Sequence, residues 1–169
     1  MELQLVNRRS IEYAFFWNGP FSQWFKFSFE ASGIEFNSAE QYMMYHKAQL
    51  SGDHQMAKKI LESSNQARIK EYGRRVKGFD EAIWDEHKFQ IVKAGNIFKF
   101  REIFKDKEFS EAFEKQIGER LFVEASPYDK VWGIGLHWSD NRIFDKSKWL
   151  GQNLLGKAID EALVELKIR

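Results

Sequence analysis

The sequence predicts a mainly α protein with a few short β-strands. Capped apolar stretches at helical spacing recur from Ser38 onward. Strand-like aromatic runs are confined to the N-terminal third and to 121–124. Strands and helices do not alternate in βαβ fashion, so a doubly wound sheet is not expected. A chain of 169 residues has the size of one domain, which we assign to 1–169, with no repeat or linker.

Residues 13–17, YAFFW, and 25–29, FKFSF, carry β-favouring aromatics and are separated by Asn18-Gly19-Pro20. A short extended piece, Ile34–Phe36, follows Gly33. Ser38-Ala39-Glu40-Gln41 is a capping-box pattern that opens a helix running to about Ser51, with Gly52 as its stop. Asp53 caps the next helix, with Met56, Ile60 and Leu61 on one face. Asn65 begins a third, holding Ala67, Ile69 and Tyr72, and Gly73 and Gly78 end that region. Asp80 caps a longer helix, with Ile83, Trp84, His87, Ile91 and Val92 at helical spacing. One or two further helices are expected over 96–117, then a buried strand, Leu121–Glu124. The stretch 133–150 reads as a loop, packed down because it carries two Trp. Residues 152–167 form a last amphipathic helix, with Leu155, Ile159, Ala162, Leu163 and Leu166 inward.

Composition narrows the function. The absence of Cys excludes disulfides, thiolate zinc sites, Cys nucleophiles and Cys-ligated clusters. The charges nearly cancel, 26 Lys+Arg against 25 Asp+Glu, which argues against affinity built on nonspecific phosphate contacts. A local pocket for one nucleotide or one modified base needs no such excess. The 27 aromatic residues (16 Phe, 6 Trp, 5 Tyr) imply a very aromatic core or a stacking pocket. No apolar run approaches the ~20 residues of a membrane helix, and MELQLVNRRSIEY lacks a signal-peptide core, so a cytoplasmic address is expected. The four His are scattered, so no metal site is expected.

Three clusters carry chemistry. Glu40, Met43, Met44 and Lys47 share one helical face. An acidic residue in a first turn suits the helix dipole, yet Glu40 and Lys47, roughly 10 Å apart along the axis, also suit the two sides of one bound molecule. Lys47 equally reads as a surface residue whose stem covers the two Met. In 124–135, EASPYDKVWGIG, Ser126-Pro127 reads as a helix start. Trp132-Gly-Ile-Gly reads as a stacking face beside a close backbone approach. Trp149-Leu-Gly151-Gln-Asn153-Leu-Leu-Gly156 opens the last helix, either as a plain cap or as amides offered to a phosphate. Arg68, Arg74 and Arg75 form either a solvated face or a diphosphate clamp.

Together with Phe21-Ser22-Gln23-Trp24, Gly73-Arg74-x-Val76, Trp84 and Lys99-Phe100, these blocks resemble the NADAR (YbiA-like) family over about residues 13–166. The resemblance implies a compact, single-domain YbiA-like fold and an N-glycosidase that cleaves between an anomeric ribose carbon and a nitrogen. One branch acts on phosphoribosylated intermediates of riboflavin synthesis; another removes ADP-ribose from guanine in DNA or nucleosides. Gln41-Tyr42-Met43-Met44 and Ser126-Pro127 look closer to the second branch, with ADP-ribose as product. A non-catalytic module that binds ADP-ribose or NAD is the remaining alternative.

The resemblance further implies roles. Glu40 stabilises positive charge on the ribose or activates water. Asp129 binds ribose hydroxyls or assists proton transfer, and Lys47 attacks an opened ribose as a Schiff base, with Lys26 as the fallback. Trp84 and Trp132 stack on base or sugar, and Trp24 and Gly133 join the ligand site. Arg68, Arg74 and the helix start at Gly151 and Asn153 hold phosphates. No metal, redox cofactor, membrane or obligate protein partner is implied.

Overall fold

A computed structural model describes residues 3–169; Met1 and Glu2, within the domain assigned to 1–169, lie outside the described residues. β1 (Arg8–Arg9), β2 (Tyr13–Phe16) and β5 (Leu121–Glu124) form one sheet in the order β1-β2-β5. β2 and β5 run parallel, and Phe16 faces Glu124 in register. β3 (Phe29–Ala31) and β4 (Ile34–Phe36) make a separate hairpin. The helices are α1 (Ala39–Leu50), α2 (His54–Leu61), α3 (Gln66–Arg74), α4 (Glu81–Ile103), α5 (Lys107–Gln116) and α6 (Leu154–Glu165). The mainly helical expectation holds.

The helix starts are local chemistry. Ser38, Asp53, Asn65, Asp80 and Asp106 each accept an amide three residues on, satisfying one of the first-turn donors. In α1 the box is shifted by one residue: Gln41 Oε1 accepts from Asn37 N at 2.7 Å.

Several boundaries differ from expectation. Residues 25–28 are not a strand. Phe25 and Phe27 pack against the core, but their amides go to the carbonyls of Ser22 and Asn37, not to a partner strand, so no ladder forms. Gly73 does not end α3. It lies inside the helix, where a Cβ would meet Met44 Sδ at 1.9 Å, so α3 and α1 touch there. The helix capped by Asp80 does not give way to a new one at 96. It continues to Ile103 because Gly95 makes room for the Tyr42 ring. Ser126-Pro127 starts no helix; it sits in a turn in which Ser126 Oγ accepts from Tyr128 N. Two 3-10 turns, Asn141–Phe144 and Lys146–Lys148, lie in the 133–150 loop, which is held down by buried Ile143 and by Trp149 Nε1 donating to Ile143 O at 2.8 Å.

The aromatic excess is mainly core. Phe16, Phe21, Phe100, Phe113 and Phe122 are fully buried, and the Phe21 and Phe122 ring centroids lie 4.4 Å apart. Each such ring contributes about 1.5–3 kcal/mol by leaving water. This cluster fixes β5 and the loop after β2 against α4 and α5. The carboxyl ends of β2 and β5 are thereby aligned, and both chains leave the sheet toward the same cleft.

Candidate active site

That cleft, about 510 Å³, lies between α1, α3, the start of α4 and the loops after β2 and β5. Glu40, Met43, Met44 and Lys47 line it together, as their helical spacing requires. A larger depression, about 670 Å³, lies at Leu3–Arg9 against Lys115 and Gln116; it carries neither carboxylate nor aromatic ring.

The loop after β2 is clamped before it reaches the cleft. Lys99, fully buried on α4, donates from Nζ to the carbonyls of Pro20 at 3.0 Å and Ser22 at 3.3 Å. Burial pulls its amine down to about 7. Asn96 Nδ2 donates to Gln23 Oε1 at 2.9 Å, and Glu40 N donates to Gln23 O at 2.9 Å. Glu40 is thus a buried side chain aimed into the cleft, 5% exposed, rather than a solvated helix-end charge. Burial, with Asp129 adding to it and Lys70, Lys47 and Arg74 opposing it, raises its carboxyl to about 7.

The loop after β5 brings a second carboxylate. Glu124 also lines the cleft; burial, then Asp129 and Glu40, push it up to about 8 against the pull of Lys70. Its Oε2 is shut from solvent and has no hydrogen-bond partner. The Gly of Trp132-Gly133 explains itself here: a Cβ on Gly133 would stand 2.9 Å from Glu124 O and 3.2 Å from Glu124 Oε2. Asp129 Oδ1 accepts the amides of Val131 and Trp132 at 2.9 and 2.7 Å, which orients Trp132 over the cleft.

Lys47 sits half-buried, with Nζ 4.4 Å from the Phe79 ring centroid and 5.7 Å from that of Trp84. Burial lowers its pKa, with Arg74 adding to the fall and Glu40 opposing it. Trp24 stands at the rim, with Lys70 Nζ 5.7 Å from its ring. Lys26 is exposed and is not part of the cleft.

Three expected phosphate contacts are not brought to the cleft. Arg68 points to solvent on another face of α3, beside Lys59, Glu62 and Asn65. Lys70, Gly73 and Arg74, spaced three and four residues apart, take the cleft side instead. Gly151 and Asn153 are structural. A Cβ on Gly151 would meet Gly133 O at 2.3 Å. The amides of Gln152, Asn153, Leu154 and Leu155 are consumed by the carbonyls of Lys130, Gly133, Val131 and Trp132. Asn153, at φ 54°, has its side chain on the β5 backbone, receiving from Glu124 N at 3.0 Å and giving to Phe122 O at 2.9 Å. These four amides are therefore not offered to an anion. Gly133 underlies the cleft rather than lining it.

Sequence reasoning missed Glu124, Lys70 and Phe79. Glu124 read as the last residue of a buried strand, and its place at the head of EASP was the available signal.

Two carboxyl groups raised toward neutrality share an aromatic cleft with amines and a guanidinium, a setting suited to acid–base chemistry. The chain belongs to the NADAR family: residues 15–167 match the NADAR domain. It is 47% identical over 147 residues to N-glycosidase R617 of Acanthamoeba polyphaga mimivirus, covering 82% of each chain. It is 35% identical over 138 residues to Protein irg-1 of Caenorhabditis elegans, covering 80% of this chain and 63% of that one. The fold matches the NMR structure of the E. coli protein YbiA with a TM-score of 0.72 at 21% identity, over 99% of this chain and 92% of that one. Among the described residues, no helix is long and apolar enough to cross a membrane.

Proposed function

We propose that the protein removes ADP-ribose from guanine, in DNA or nucleosides, by hydrolysing the ribose–base N-glycosidic bond, and that it does so in the cytoplasm. Its class, a hydrolase of N-glycosyl bonds, follows from NADAR membership and the N-glycosidase relative. The observation that carries the finer reading is the pairing, in one cleft, of the buried Glu40 carboxyl with the desolvated Lys47 amine across Met43 and Met44.

Departure of a base builds positive charge at C1 of the ribose. Glu40 in its ionised form stabilises that charge and takes the proton of the entering water. Asp129 holds ribose hydroxyls, and Trp84 and Trp132 flank base and sugar. Lys70 and Arg74 face the phosphates. The Lys47 amine, partly stripped of water, is the nucleophile for an opened ribose, giving a Schiff base that water then hydrolyses.

The test is incubation with ADP-ribosyl-guanine DNA, followed by mass spectrometry. Release of ADP-ribose and unmodified guanine supports the reading. Cleavage of a phosphoribosyl-aminopyrimidine instead assigns the protein to the riboflavin-intermediate branch, and binding of ADP-ribose with no cleavage of either makes it a reader.

A further inference from the structure

Glu124 has no role in the chemistry just described, yet it lines the cleft with one carboxylate oxygen shut from solvent. It ends β5, one strand from Phe16, and its backbone is pinned on both sides: its amide to Asn153 Oδ1 at 3.0 Å, its carbonyl by Ile134 N at 3.0 Å. With Gly133 packed beneath it, the side chain is confined to the cleft it lines. Its Oε2 is buried without a donor. A bare carboxylate oxygen in that position is costly, whereas a protonated carboxyl needs only an acceptor, which an arriving ligand supplies.

The charges around the two acids divide the labour. Glu40, on α1, feels Lys70 from α3, Lys47 from its own helix and Arg74 from α3. Glu124 feels one cation, Lys70, and two acids, Asp129 in its own loop and Glu40 across the cleft. Lys130 also lines the cleft. When the pair shares one proton, the better-compensated Glu40 gives it up and Glu124 keeps it.

We propose that Glu124 is a catalytic general acid, protonated in the resting protein, that protonates the leaving nitrogen. This rests on the N-glycosidase reading and supplies its missing half. As the C1–N bond breaks, its electron pair goes to the nitrogen, which takes the Glu124 proton. A water oxygen bonds to C1 and passes its proton to Glu40. Return of that proton from Glu40 to Glu124 restores the resting state, so the net reaction is addition of one water across the bond. The same donation serves the leaving nitrogen when Lys47 is the attacking group.

Two measurements on the whole chain decide this. The first needs no substrate: an infrared difference spectrum of wild type against Glu124→Gln at neutral pH. A protonated-carboxyl band that vanishes in Glu124→Gln and persists in Glu40→Gln supports the proposal; no band, or one that vanishes only in Glu40→Gln, overturns it. The second is the pH–rate profile on whichever of the two N-glycosides wild type cleaves. The expected wild-type rate falls above about pH 8, and Glu124→Gln loses ~10²–10⁴ in rate together with that alkaline limb. A folded Glu124→Gln with the wild-type rate, or a slow one that keeps the limb, overturns the proposal. Wild type inert on both N-glycosides defeats the function itself and the acid role with it, a result distinct from failure of the variant alone.

Discussion

The amide of Glu40 donates to the carbonyl of Gln23 at 2.9 Å, so the first turn of α1 is docked on the loop leaving β2. The same loop hangs from buried Lys99 and from Asn96 on α4. The position of a proposed catalytic carboxylate is therefore set through Gln23, Asn96 and Lys99, on the loop after β2 and on α4. Preorganisation of this kind is what allows a carboxyl to act without rearranging.

Glu40→Gln is expected to fold and to lose ~10²–10⁴ in turnover. Glu40 caps nothing with its side chain, so its removal leaves the Ser38–Gln41 start of α1 intact. Turnover of the folded variant by single-time-point mass spectrometry checks this; wild-type turnover would return Glu40 to a helix-dipole role.

Stability should respond to pH through the same two acids. Their carboxyls are raised in the folded state, to about 7 and about 8, so between about pH 5 and 8 the folded protein binds more protons than the unfolded chain. Stability contributed by these groups is full at low pH and is lost as pH rises. Lys99, lowered to about 7, works in the opposite sense above that pH, so the quantity to read is the difference between variant and wild type. Glu124→Gln should be more stable than wild type at pH 8, on the order of a few kcal/mol, and the gain should shrink toward pH 5. Urea melts at the two pH values measure it; a gain independent of pH refutes the assignment.

Borohydride added during turnover should fix an ADP-ribose-sized mass on the protein, with digestion placing it at Lys47. The amine is half-buried between Phe79 and Trp84, and its lowered pKa supplies more of the free base. Trapping at exposed Lys26 would keep the chemistry and change the residue. No adduct, with Lys47→Met still active, leaves catalysis to water.

Lys70→Ala should weaken ADP-ribose binding by about tenfold, the equivalent of about 1.4 kcal/mol. Arg68→Ala, on the outer side of α3, should change it by less than threefold, as surface substitutions generally do. Titration calorimetry separates the two. Equal losses would put the phosphates elsewhere than on the cleft face of α3.

Asn153→Ala should lower both stability and activity. It removes one buried and one part-buried hydrogen bond that hold the β5 backbone at Phe122 and Glu124, a cost of about 1–3 kcal/mol. If Asn153 is a splint and not an anion contact, ADP-ribose affinity falls less than turnover does. A loss confined to affinity would contradict the splint.

Helical period made half of this cleft legible. Glu40, Met43, Met44 and Lys47 fall on one face by spacing alone, and capping residues located the starts of five helices in the fold, four of them read from the sequence: Ser38, Asp53, Asn65 and Asp80. The other half depends on chain segments far apart in sequence. Glu124 reaches Glu40 only because β5 pairs in parallel with β2, a register fixed by the Phe21–Phe122 core, and a strand-end Glu carries no local mark of that. Which of Arg68 and Lys70 faces the cleft is a matter of helical phase, since both lie in one basic stretch and the docking of Gly73 on Met44 sets which side faces in. The small residues at 151–156 read as a cap or as amides offered to a phosphate, but the group that comes close to Gly151 and Gly156 is backbone.

The first turn of α6 also sets when the protein becomes active during its synthesis. Glu40, Lys47 and Trp84 leave the ribosome early, but the loop that carries Asp129 and Trp132 is tied down by the amides of residues 152–155, and the amide of Glu124 by Asn153. A nascent chain that has reached the Trp-Gly-Ile-Gly segment holds every proposed reacting group and yet no assembled cleft. Turnover is therefore expected only after the last helix has emerged, and chains stalled or clipped before it are expected to be silent rather than unselective.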